Sequence, residues 1–232
     1  MSIADKLTTI AENEEKVFNA GKEAEYDAFW DAFQDNGKRT YYNYGISGSG
    51  WNDDTFKPKY DLVPTEAYSM FHAASISNLI DILSKQGVKL DTSKATTLQN
   101  FITGNAVIKK VPKIDASGVT SATGCAGMFN SCMALEEVEE FIFKESITNY
   151  LSLAHWCTHL VKFKASGVIS GSISFDRSPL NKESITSIIN ALSSSATGQT
   201  ATFKKTAKEA AFTAEEWATL IATKSNWTFS LV

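Results

Sequence analysis

The sequence predicts an α+β chain built around a short repeat solenoid, entered through an N-terminal helical, aromatic-rich segment and closed by C-terminal strand-helix capping units. Three observations carry this expectation. Helical apolar spacing opens the chain, imperfect repeats of about 25 to 30 residues fill its middle, and strand and helix signals alternate at its end. The expected divisions are a helical segment over 1–36, an aromatic-rich loop or cap region over 37–67, and the repeat part with its cap over 68–232.

The opening segment reads as helix. Ser2 and Asp5 stand at capping-box spacing, and Ile3, Leu7, Ile10 and Val17 line one seam. That seam fits either an amphipathic helix docked on its own chain or a short coiled coil between copies. The second reading makes a homo-oligomer, with a trimer favoured, the expected assembly. Tyr26, Phe29, Trp30 and Phe33 follow at i, i+3, i+4 and i+7, a stripe that ends at Asn36-Gly37. From Tyr26 to Phe71 fall twelve of the chain's aromatic residues, and their middle, RTYYNYGISGSGWNDDTFKPKYDLVP, carries the punctuation of loops. These rings are either a stacking platform for sugars or the buried core of a loop-rich cap.

From about Tyr68 the chain repeats itself. Strand-like segments recur as KLDTS (89–93), KIDAS (113–117), IFKES (142–146), KFKAS (162–166) and SFDRS (174–178). Leu90, Ile114, Phe143 and Phe163 are thereby expected on successive parallel strands, pointing into one core. A second piece recurs between them as MFHAASISNLI (70–80), FITGNAVIKKV (101–111), MFNSCMALEEV (128–138) and LAHWCTHLVKF (153–163). Aligned on apolar positions, Val111, Val138 and Phe163 coincide, and Asn105, Cys132 and Cys157 share one column. A unit with one short strand cannot bury its apolar face alone, so neighbouring units must stack. A small side chain in the Asn/Cys column can satisfy turn backbone inside such a stack.

The C-terminal part changes texture. SPLNKESITSIINALSSS places Ile185, Ile188, Ile189 and Leu192 at helical spacing, and TATFKKT after Gly198 reads as strand. Thr213 and Glu216 frame a capping box for a helix to about Thr223, and NWTFSLV alternates as a closing strand. These units are expected to cap the open end of the stack.

Composition limits the function classes. The net charge of -4 and a pI near 5.5 leave no basic stripe, so nucleic acid is not an expected partner. Nine acidic residues against three Lys set residues 1–35 apart as the acidic segment. No apolar stretch approaches the roughly 18 residues that span a bilayer, and the start MSIADKLTTIAENEEK shows no secretory signal pattern, so neither membrane insertion nor signal-directed export is expected. Cys125, Cys132 and Cys157, odd in number and irregularly spaced, are expected as free, buried thiols.

The pieces MFNSCMALEEVEEFIF and LAHWCTHLVKFKASG resemble the F-x-x-C-x-x-L-x-x-(V/I) pattern of BspA-like (type 5) leucine-rich repeats. The opening MSIADKLTTIAENEEKVFNAGKEAEYDAFWDAFQDNGKRTYY, the SPLNKESITSIINAL block and the terminal IATKSNWTFSLV resemble repeat proteins encoded in phages and prophages of gut anaerobes. The resemblance implies a leucine-rich-repeat-like solenoid. It also implies a non-enzymatic structural or attachment component of a phage particle, associated with tail, baseplate or capsid and assembled in the host cytoplasm. Its expected partners are other virion proteins or a host-surface protein or glycan; the alternative is a bacterial surface or host-interaction leucine-rich-repeat protein. The resemblance supplies no catalytic, cofactor-binding or metal-binding residue. The chain departs from the pattern at Ile102-Thr103-Gly104-Asn105 and at Ala154, where the repeat has Phe.

Four local patterns invite chemistry. His155, Cys157 and His159 alternate and could face one zinc ion, but Cys157 already belongs to the repeat column and the local ligand count stops at three. A Cys-His nucleophile pair from the same cluster lacks an orienting group and an oxyanion site. Asp53-Asp54 are adjacent, whereas glycoside hydrolysis needs two carboxyls facing each other across a sugar; a turn or N-cap before Thr55 is the expectation. GISGSG lacks the Lys and the strand-to-helix context of a phosphate cradle and reads as a loop.

Overall fold

In the computed structural model, residues 46–48 and 50–232 are described, and they belong to one compact unit. The expected helices within 1–36 and the tyrosines Tyr41, Tyr42 and Tyr44 lie outside them. The described chain is mixed α and β, with four helices and two small sheets, both parallel.

The first sheet is built from β1 (Lys110–Val111), β2 (Ile114–Asp115), β3 (Glu137–Phe143) and β4 (Lys162–Gly167). β1 and β2 pair with the same edge of β3 that β4 leaves open, so they are one strand interrupted at Pro112, which has no N–H to give the ladder. The register joins Val111 to Val138 and Val138 to Phe163, the column found by aligning apolar positions. One extra residue of β3 between Val138 and Phe141 makes a bulge against β4 and turns Val138, Phe141 and Phe143 all inward.

That bulge corrects the alignment of the strand segments. Phe163 pairs with Val138, and Phe143 pairs with Gly167, so Phe143 and Phe163 are not ladder partners, although both are buried. Leu90 is half-buried and bridges Leu62 instead of Ile114.

Through the repeat part the chain turns corners, each bonded to the next in a fixed way. Ser69, Phe71 and Ala73 donate N–H to the carbonyls of Gln99, Phe101 and Thr103. Asn100, Ile102 and Gly104 donate to Ala126, Met128 and Asn130, and Gly127, Phe129 and Ser131 donate to Leu151, Leu153 and His155. Ile46 and Gly48 begin the series on Met70 and His72. Each of these bonds is 2.8 to 3.0 Å long. Two residues per corner take the left-handed backbone that lets every second N–H point forward: Ser69, Asn100, Gly127 and Ser152 at one place, and Gly48, Ala73, Gly104, Ser131 and Trp156 at the other. Aromatic rings fill the space inside these passes. Phe56, Phe71 and Phe101 meet edge to face at 5.6 and 5.3 Å, and Phe163 meets Phe175 at 5.0 Å. Phe56 and Phe71 are therefore core of the aromatic-rich region.

Helix α1 (Leu79–Gln86) is capped by Asn78, whose side chain accepts from Asp81 N, and stopped by left-handed Gly87. After β4 comes β5 (Ile173–Phe175), then α2 (Lys182–Ala191), which buries Ile185, Ile188 and Ile189 as their spacing predicts. α2 occupies the open edge of β4. Ser184 Oγ accepts from Phe163 N at 2.8 Å and donates to Val161 O at 3.1 Å, and Ser187 Oγ accepts from Ala165 N at 3.0 Å and donates to Phe163 O at 3.1 Å. Two helix hydroxyls thus stand in for the next strand, closing an edge that would otherwise invite pairing.

β5 begins the second sheet, which continues with β6 (Gln199–Phe203) and β7 (Trp227–Leu231) in parallel. Between β6 and β7 lie α3 (Lys205–Ala211) and α4 (Ala214–Ala222), the latter opened by the expected Thr213/Glu216 capping box. The strand reading of TATFKKT extends too far: β6 ends at Phe203, and KTAKEAA, rich in good helix formers, turns helical as α3. No helix among the described residues is long and apolar enough to cross a membrane.

Candidate binding surface

The corners carry the polar column. Asn105 is fully buried; its Nδ2 donates to Ile76 O at 3.2 Å and its Oδ1 accepts from Ile108 N at 3.1 Å. Cys132 and Cys157, also buried and free, donate Sγ–H to Ile102 O at 3.1 Å and to Phe129 O at 3.0 Å. Each residue of the column closes the same tight turn, with its N–H on the carbonyl three residues back: Asn105 to Ile102, Cys132 to Phe129 and Cys157 to Ala154. Ser178 does the same to Phe175, so SFDRS is not only a strand segment but also the next corner, with Ser178 in the cysteine column and its Oγ on Cys157 O at 3.1 Å.

Burial decides the chemistry of these thiols. It pushes Cys157 up to about 12, and it raises Cys132 well above its ordinary value, with the neighbouring Cys157 adding to the effect. A thiol held protonated at neutral pH is neither a nucleophile nor a ready ligand. The His155-Cys157-His159 set is accordingly divided. Cys157 points into the core, His159 is exposed with Nδ1 2.7 Å from Met133 O, and the half-buried His155 ring lies edge-on to Trp156 at 5.6 Å. Among the described residues no group of three or more His, Cys, Asp or Glu could hold a metal ion.

Asp53-Asp54 stand in a turn. Asn52 Oδ1 accepts from Asp54 N at 2.9 Å and Thr55 N at 3.1 Å, while Asp53 accepts from Ser77 N at 2.7 Å and from its hydroxyl. Ile46, Ser47 and Gly48 of GISGSG lie in turn and loop.

The outer face of the first sheet is a ladder of alternating charge, with Glu137 between Lys110 and Lys162 at 3.9 and 3.8 Å, and Lys164 3.4 Å from Glu140. Opposite signs on neighbouring strands avoid the repulsion that like charges would cause, and exposed pairs of this kind contribute only about 0–1 kcal/mol each. A cleft of about 420 Å³ lies between this face and α2, lined by Glu137, Lys162, Lys164 and Glu183. A second, of about 490 Å³, is flanked by Lys182, Phe212, Glu216 and Leu220. In it Lys182 Nζ bonds Glu216 at 2.7 Å, which holds that carboxyl below its ordinary value, and the Thr213 cap adds to the shift. Each cleft holds one ion pair, Lys162 with Glu137 in the first and Lys182 with Glu216 in the second.

One place on the surface departs from the rest. The second left-handed corner position runs Gly48, Ala73, Gly104, Ser131 and then Trp156, at φ +62°. An L-residue pays about 1–2 kcal/mol for that backbone, and small residues or glycine are its usual occupants. Trp156 is instead 43% exposed. One turn on, the residue just before Ser178 is Arg177, which matches Trp156 in its place before the column but not in its backbone, and its guanidinium lies 3.8 Å from the centroid of the indole ring. Met133 is exposed on the preceding corner. Sequence reading misses this pair because LAHWCTHL is aligned for its apolar and Cys positions and SFDRS as a strand. The signal that could find it is Arg177-Ser178 matching Trp156-Cys157, column by column.

No protein-family model, curated protein or solved structure matches the chain.

Proposed function

We propose that the chain is a non-enzymatic structural or attachment component of a phage particle, and that its repeats form a short leucine-rich-repeat-like solenoid presenting a binding surface at the corners. The observation that carries the solenoid reading is the recurrence of one corner. The same three forward hydrogen bonds and the same left-handed positions return from Ser69 to Trp156, and the buried Asn/Cys/Cys/Ser column runs on to Ser178. Repeats that bond only to their neighbours suit a scaffold that displays side chains.

The non-enzymatic reading is supported by what the reactive side chains do. The cysteines are buried with their thiols raised above the ordinary value, and of the two carboxylates singled out Asp53 is taken up by Ser77. The particle itself is supported by the resemblance of the end blocks to phage and prophage repeat proteins, and attachment through protein or glycan fits a surface with an exposed Trp and Arg, two residue types that dominate binding hot spots. A homo-oligomer, with a trimer favoured, belongs to this proposal through the apolar seam Ile3, Leu7, Ile10 and Val17.

The test is quantitative mass spectrometry of purified particles from a lysogen that carries the gene. Co-purification in constant ratio to the tail or capsid proteins is the expected result. Recovery in the cell envelope with none in particles overturns the reading in favour of a bacterial surface protein. The solution mass of the full chain beside a chain starting at Lys22 tests the seam: equal oligomers, or two monomers, remove it as the assembly element.

A further inference from the structure

We propose that Trp156 and Arg177 form a subsite for an acidic glycan, a sugar ring that carries a carboxylate. This rests on the attachment reading above and names the class of ligand for it. The left-handed position that holds Trp156 carries Gly48, Ala73, Gly104 and Ser131 in the preceding corners, so folding is served there by small residues. A tryptophan in a left-handed conformation, with 43% of its surface in solvent, answers to something other than the corner.

The chemistry of the pair points to the ligand. The Arg177 guanidinium lies over one face of the indole at 3.8 Å, and its Nε is 3.9 Å from Asp176. Asp176 is itself engaged by Ser174, whose hydroxyl is 3.2 Å away. Among the described residues the two terminal guanidinium nitrogens and the indole Nε1 make no hydrogen bond. Apart from that one engaged carboxylate, the stack therefore presents donors without acceptors, and the guanidinium plane is already fixed by the ring beneath it. A planar fork of N–H groups matches a carboxylate through two parallel bonds, and a fixed fork loses less freedom on binding. The remaining indole surface suits the flat C–H face of a pyranose, and the edge-on His155 ring at 5.6 Å limits how far a ring can slide.

A peptide is the weaker fit. Peptides are recognised by adding to a strand edge or by lying in a groove, and Trp156 and Arg177 stand on an exposed corner and line neither of the clefts described above.

The experiment is titration of the full chain, followed by tryptophan fluorescence and by calorimetry, with oligogalacturonate, oligosialic acid, neutral galacto-oligosaccharide of equal length, and polyglutamate of matched charge. The expected result is binding of at least one acidic glycan about tenfold or more tighter than the neutral sugar and the polyglutamate. Trp156→Ser, which repeats the residue of the preceding corner, and Arg177→Lys, which keeps the charge and loses the fork, should each weaken that binding about tenfold or more with the melting curve unchanged. Equal binding of polyglutamate, binding of neither acidic glycan, or full retention of binding in Arg177→Lys overturns the proposal. Particle residence is read independently. A chain found in particles that binds no acidic glycan overturns this inference alone, and a glycan-binding chain absent from particles overturns the virion reading alone.

Discussion

Removing the Ser184 hydroxyl tests how the first sheet is ended. In Ser184→Ala, Phe163 N loses the acceptor it holds at 2.8 Å and Val161 O loses a donor at 3.1 Å, at a place where Ser184 is 4% and Phe163 1% exposed. A buried N–H left without a partner costs about 1–3 kcal/mol, while alanine's better helix propensity returns about 0.5 kcal/mol inside α2. The net expectation is a loss of about 0.5–2.5 kcal/mol, or roughly 1–10 °C in Tm for a chain of this size. Ser187→Ala should cost less, because Ser187 is half-buried and its hydroxyl also bonds within the helix to Ser184 O at 2.9 Å. The double variant should fall short of the sum, since Ser184 and Ser187 share Phe163. Urea unfolding with an unchanged m-value is the assay, and Thr186→Ala, an exposed hydroxyl bonded only to Lys182 O of its own helix, is the control expected near zero. If Ser184→Ala matches the parent or the Thr186 control, the hydroxyls do not close the edge of β4.

Gly167 has φ +75°, and a Cβ there would run into the Phe143 carbonyl, so Gly167→Ala should cost about 2–5 kcal/mol, measured by thermal melting; a variant within 1 kcal/mol of the parent would refute the close approach of β3 and β4. Burial raises the folded-state Cys125 and Cys157 thiols from their ordinary value of 9.0 to about 12. The unfolded thiols ionise first, so stability should be complete below about pH 9 and decline from there toward pH 12. A chain with Cys125, Cys132 and Cys157 all replaced by Ala, its stability followed over the same range, checks this by losing that share of the decline. Asn105→Ala removes both the donor to Ile76 O and the acceptor of Ile108 N inside the core and should cost about 2–4 kcal/mol. Asn105→Cys should restore part of that loss in urea titration, because the next two corners already carry Cys at this position.

The parts of this fold that were legible in the sequence are those fixed by local chemistry. Thr213 announces α4 because an N-cap needs a side-chain oxygen next to the first turn, and Ile185, Ile188 and Ile189 announce α2 and which face it buries. The Val111-Val138-Phe163 register was legible for a different reason, since corners that stack must repeat their apolar positions. The alignment failed where repeat and strand pairing part company. A single bulge residue after Val138 shifts every later partner, and nothing in IFKES or KFKAS marks it, because the bulge is settled by which side chains reach the core. α3 was missed for want of any cap residue, its start at Lys204 having no side-chain cap bond.

The Trp156-Arg177 pair shows why a surface hides in a sequence that reveals its core. Core positions are over-determined, so Phe, Leu, Val and Cys recur there and alignment finds them. The left-handed corner position is constrained only in its backbone, which selects small residues at Gly48, Ala73, Gly104 and Ser131, and a departure from that rule reads as noise until φ and stacking are known. A conformational rule broken without gain in the core is the kind of local inconsistency that folding alone does not produce, and sites of contact are where such inconsistencies gather. The substitution that breaks the rule is followed, one corner later, by the arginine that stacks on it. A left-handed, exposed tryptophan in direct contact with an exposed arginine is the departure that the core does not explain, and that is why the corner, rather than either charged cleft, is the part of this surface to probe first.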